Sequence, residues 1–120
     1  MPIKVIAFDA DDPREAAPLW RTNYTDPVAG IVPILNSDVG QRCGVYNDFS
    51  GNIGIVGTPV IDQTSATMYF VARTRELASF VQRLHAVDIA TGQERTGSPV
   101  VIRASVPGHG DGTDGNGNVR

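Results

Sequence analysis

Asp114, Asn116 and Asn118 stand at alternate positions in a glycine-rich run near the C-terminal end. Hard oxygen ligands at that spacing, with glycines allowing tight turns between them, are what Ca²⁺ asks for. The pattern meets only the opening half of a calcium loop, because no acidic residue follows at the twelfth position. The same Gly/Asp/Asn composition suits a flexible tail, which is the simpler reading of residues 105–120. His85 sits in an apolar run with Arg83 and Val87 on its face and reads as structural. His109 lies among glycines without a fixed partner. Neither histidine has a Ser or Cys in a nucleophile motif beside it. Cys43 is the single cysteine, so an internal disulfide is excluded, and no nearby His completes a metal or nucleophile pair. Glu76 and Glu94 read as solvated charges at turns or strand edges. No residue is assigned a catalytic role.

Composition narrows the function classes further. A length of 120 residues suits one ordinary domain, and 13 Gly with 8 Pro call for many turns. A net charge of -3 argues against an electrostatic nucleic-acid binder, which needs a basic face. No stretch approaches the roughly 20 apolar residues of a membrane span. Met1 to Ile6 runs directly into a polar, acidic segment, so secretory signal architecture is missing.

The elements that would position these groups are strands. Residues 53–61 are apolar and β-branched and stop at the polar run Asp62-Gln63-Thr64-Ser65. Residues 68–74 begin apolar on both alternating faces, so the strand must be covered on both sides. A polar connector over 75–79 leads to a third strand over 80–88, closed by Ile89-Ala90-Thr91-Gly92. A fourth spans 98–104, with Pro99 suited to an edge that need not donate. The reading is all-β: one four-stranded antiparallel sheet over 53–104. One such sheet cannot bury two apolar faces alone.

A second copy of one strand supplies the neighbour. Val5-Ile6-Ala7-Phe8-Asp9-Ala10 matches Leu84-His85-Ala86-Val87-Asp88-Ile89 at a constant offset of 79, with Ala7/Ala86 and Asp9/Asp88 identical. In both, an apolar run ends in an Asp whose side chain accepts backbone N–H groups two or three residues on and fixes a reversal. Gly92 supplies the positive φ that such a turn requires. A recurring four-stranded unit is the mark of a radial array. Residues 25–52 are long for a plain connection and read as an inter-blade loop or insertion.

The string GTPVID…TMYFVA…LHAVDIATGQE resembles the pyrroloquinoline-quinone (PQQ) type repeat of quinoprotein-like β-propellers. Leu84, Ala86, Asp88, Thr91 and Gly92 match the third-strand motif, and Trp20 matches the Trp that docks on a neighbouring blade. The second copy departs, with Arg95 and Thr96 where an aromatic is expected. The resemblance implies a partial β-propeller: 1–24 as outer strands of a preceding blade, 25–52 as the insertion, 53–104 as one blade and 105–120 as tail. It implies an extracellular or periplasmic bacterial protein whose partners are further blades or another chain. The function expected is a non-catalytic scaffold or binding surface. The alternative is part of a quinoprotein alcohol dehydrogenase, which would bring PQQ and Ca²⁺ held by residues outside this chain. That cofactor site uses a pair of adjacent cysteines, and the chain has none.

Overall fold

A computed structural model describes residues 1–12, 14, 17–39, 51–110, 112–113 and 115–119. The chain is all-β with antiparallel sheets, and its one helix among the described residues is a single turn, α1 (Asn36–Val39). The strands are β1 (Lys4–Ala7), β2 (Trp20–Asn23), β3 (Ile31–Leu35), β4 (Asn52–Ile53), β5 (Val60–Asp62), β6 (Thr67–Glu76), β7 (Ser79–Asp88), β8 (Val100–Val101), β9 (Val106–Pro107) and β10 (Asn118–Val119). No helix of the described residues is long and apolar enough to cross a membrane.

The central sheet is built on the β6–β7 hairpin, ten residues a side, paired from Thr67↔Asp88 to Glu76↔Ser79. Its strands are rich in β-branched and aromatic residues, which suit a pleated surface covered by neighbours. β6 continues through Arg75 and Glu76, where the sequence reading places a connector, because a two-residue turn at Leu77-Ala78 is enough to reverse the chain. Leu77 pays for that tightness with a φ of 53°, a left-handed conformation uncommon in a branched residue. β5 and β8 flank the hairpin, giving the order β5-β6-β7-β8. Both outer strands are shorter than the runs 53–61 and 98–104 expected from sequence. Gly54, Gly57 and Pro59 interrupt the first run, and Pro99 withholds a donor from the second.

The insertion enlarges this sheet. β5 occupies the edge of β6 over Thr67–Tyr69, and β3 takes the same edge further along, pairing Ile31↔Glu76 and Pro33↔Thr74. Arg73 N–H donates to the Gly54 carbonyl between the two. β3 is aimed there by a turn in which the Asp26 carboxylate accepts the N–H groups of Val28 and Ala29, and Gly30 takes a φ of 73°. Cys43 lies outside the described residues.

The two faces of the sheet differ. On one, Phe70, Ala72 and Val87 are buried and are covered by Val5, Tyr24 and Ile55. Val5 and Tyr24 belong to the separate β1–β2 hairpin and its exit. On the other, alternate positions leave Val60, Tyr69, Leu84 and Val100 exposed. Within residues 105–120, β9 and β10 pair with each other, Asn118 opposite Pro107.

Candidate functional site

The turn after β7 is closed by its own side chains. Asp88 Oδ1 accepts the N–H groups of Ala90 (2.8 Å) and Thr91 (3.1 Å), and Arg95 reaches Asp88 Oδ2 at 3.0 Å. These contacts, the Ala90 N–H foremost, hold the Asp88 carboxyl below its usual range. Arg95 also donates to the carbonyls of Ser65 and Ala66, tying the β5–β6 turn to the β7 turn. Gly92, at φ 70°, allows the Asp88 carbonyl to accept its N–H at 2.8 Å.

Trp20 seals this turn from the β1–β2 hairpin. Its indole N–H donates to the Ile89 carbonyl at 2.9 Å, and Thr22 donates to the Gly92 carbonyl at 3.2 Å. A Cβ on Gly92 would fall 2.7 Å from Trp20 Cδ2 and 2.8 Å from Cζ3, so only hydrogen leaves room for the ring. Ala7 faces Trp20 across the hairpin, and Asp9 accepts the Asp11 N–H at 2.9 Å. The structure therefore brings Ala7, Trp20 and the 88–92 turn into one assembly. Leu84 and Ala86 lie on the other face of β7, turned away from Trp20, and Asp9 lies beyond the end of β1.

Beneath Tyr24 lies a second assembly that the sequence reading missed. His85, 5 % exposed, stacks on Phe70 at 5.1 Å and meets Tyr24 edge-on at 4.7 Å. Its Nδ1 lies 2.5 Å from Glu94 Oε1, and the carboxylate partner requires that nitrogen to carry the hydrogen. Glu94 Oε2 accepts the Ser98 hydroxyl, which in turn accepts the Ala86 N–H at 2.7 Å. Burial pushes the Tyr24 phenol up to about 12, and the Glu94 carboxylate adds to the rise. Glu76 is likewise paired: Arg83 donates through both terminal nitrogens to its two oxygens, which holds the Glu76 carboxyl below its usual range. Both glutamates are thus held in partly buried pairs, not freely solvated as expected. The pairs follow from cross-strand register, since Val87 bridges Glu94 and brings it beside His85.

The network is not ordered as a nucleophilic triad. A nucleophilic triad needs the imidazole between carboxylate and hydroxyl. Here the carboxylate lies between, and the Ser98 oxygen is engaged on both sides. Next to it a cleft of about 300 Å³ runs between the Asn23–Asp26 segment and the sheet, floored by Ala72 and bordered by Thr74, Arg83, His85 and Pro99. Among the described residues no three His, Cys, Asp or Glu side chains converge as metal ligands. Asp114 lies outside the described residues, while Asn118 is in β10 and both Asn116 and Asn118 already have interaction partners. With Glu76 and Glu94 engaged and Trp20 lying on Gly92, the described side chains do not fit a quinone-and-calcium centre. No protein-family model matches the chain, and no curated protein or solved structure matches it either.

Proposed function

We propose that the chain is a non-catalytic segment of a PQQ-type β-propeller, acting as scaffold and offering one sheet face for binding. In this reading β5-β6-β7-β8 is a blade and β1–β2 is the outer hairpin of the blade before it. The observation that carries the reading is Trp20 lying on Gly92, with its indole N–H on the Ile89 carbonyl. It supplies a specific lock between two units that share no strand pairing.

The repeat supports the same reading. Val5, on the inward side of β1, packs against the buried core of the sheet. The offset of 79 carries Val5 and Ala7 onto Leu84 and Ala86, which lie on the open face of β7. What β1–β2 does for this sheet, β7–β8 is placed to do for a following one. The test is the gene on either side of this segment: further Ala-x-Asp-x-x-Thr-Gly strands are expected, and their absence overturns the propeller. The intact gene product, given PQQ, Ca²⁺ and an alcohol with a redox dye, is expected to show no turnover; turnover would overturn the scaffold reading.

A further inference from the structure

The cleft between the Asn23–Asp26 segment and the sheet ends on one acceptor that nothing in the chain uses. Ala72 floors it, and Ile31, Pro99 and the Tyr24 ring supply further apolar wall. Its other polar side chains already serve one another. Arg83 and Thr74 are taken by Glu76, the Thr25 hydroxyl donates to Asn23 Oδ1 at 2.8 Å, and Asp26 caps Val28 and Ala29. His85 is the exception. Its Nδ1 carries the hydrogen that Glu94 accepts, so Nε2 holds a lone pair. Glu94 lies beside Val87, and the two ring nitrogens of an imidazole diverge. Nε2 is therefore turned away from Glu94, toward the Thr74 and Arg83 end where the cleft lies. No donor among the described residues meets Nε2, and it is not sealed in as Tyr24 Oη is, so it opens on the cleft.

We infer that this cleft is a binding site for a small uncharged aromatic alcohol, whose hydroxyl donates to His85 Nε2 while its rings lie on Ala72, Ile31 and Pro99. The site is on the sheet face opposite the one offered above for binding, and it does not depend on the propeller reading. Sites for small ligands are mostly apolar, with a few placed polar groups that fix orientation. A buried acceptor left without a donor costs free energy, and a ligand hydroxyl removes that cost. Glu94, by holding the hydrogen on Nδ1, fixes the tautomer in which Nε2 accepts. An ionised ligand of either sign would shed its hydration without a free counter-charge. Arg83 is spent on Glu76, and Asp26 on backbone N–H groups. An apolar cavity of about 150 Å³ holds benzene. At about 300 Å³ the cleft has room for a fused pair of rings.

The probe is 2-naphthol, titrated into the chain beside 2-methoxynaphthalene, which has the same rings and no donor, and 2-naphthoate, an anion. Nitrogen NMR of the imidazoles is expected to show His85 protonated on Nδ1, with Nε2 shifting saturably as the naphthol is added; His109→Gln removes the other imidazole signal. The ether and the naphthoate each bind at least about tenfold more weakly. Ala72→Leu fills the floor and abolishes binding. His85→Phe keeps a ring against Phe70 and abolishes the preference for the naphthol over its ether. Near-ultraviolet dichroism of Trp20 reports whether each variant keeps the fold, and the wild-type titrations decide the question even where one does not. A hydrogen on Nε2 in place of Nδ1, the lack of a saturable shift, or equal affinity for naphthol and ether overturns the inference.

Discussion

β1 and β7 carry the same Ala-x-Asp strand ending, yet their turns are finished differently. The Asp9 carboxylate caps one described N–H, that of Asp11, and Asp12 caps that of Arg14. After Asp88 two N–H groups are capped, Arg95 holds the second carboxylate oxygen, and Gly92 reverses the chain at positive φ under the Trp20 ring. The offset of 79 puts Pro13 where Gly92 stands, and a proline cannot take that φ. The strands' partners differ in the same way. Ile6, the counterpart of His85, is 43 % exposed, whereas His85 is buried under the hairpin. The motif thus fixes where a strand ends, while the tightness of the turn depends on Gly92, where the first copy has Pro13.

The comparison is broken most severely at Gly92. Gly92→Ala introduces a left-handed alanine and displaces the indole, at a cost of about 4 kcal/mol, read from denaturant unfolding. Trp20→Ala removes the ring but leaves the turn, and about 3 kcal/mol is expected; hydrogen exchange should then show β1 and β2 opening ahead of β6 and β7. An equal loss of protection in all four strands would mean that the hairpin and the sheet are one cooperative unit. Glu94→Ala sharpens the contrast between Ile6 and His85. It leaves the buried imidazole N–H unpaired and should cost about 2 kcal/mol, while Ile6→Thr should be nearly silent in the same melt.

The smallest effect is one of pH. The Asp88 carboxyl titrates lower in the folded chain than in the unfolded one, so its contribution is fully present above the unfolded value of 3.8. It is lost as pH falls through the lower folded value. Melting temperature should therefore decline in acid below about pH 4, and Asp88→Asn should flatten part of that decline. Glu76 and Asp62 are also held low, by Arg83 and by Ser65 with Thr64, so a residual slope is expected in the variant.

The strands of the hairpin were legible because their signal is local. Alternation over 68–74 and 80–88 falls inside β6 and β7, and the Asp88 turn is dictated by residues within four positions of it. What escaped was non-local. β3 joins β6 across more than thirty intervening residues, and Pro33 inside it weakens any strand pattern. Residues 53–61 look continuous by composition, but Gly54 sits against Ile3, Ile53 pairs with β3, and only Val60–Asp62 pairs with β6. The site was half visible: the Asp-x-x-Thr-Gly turn and Trp20 stand out by residue type. The pairs His85–Glu94 and Arg83–Glu76 do not, since each depends on which residues face one another after the sheet has formed.

β6 is read twice along one edge, by β5 at its start and by β3 at its end. The chain between those two pairings leaves a strand and returns to the same strand. On the way Ile53 pairs with Ile34 and Ile55 covers the core, so only the length of the run between α1 and β4 is uncoupled from the register of everything else. Closing a longer loop costs only about 0.6 kcal/mol for each doubling. This is where the molecule can gain or shed residues over evolutionary time, or accept an inserted tag, while β6, β7 and the Trp20 lock stay in place.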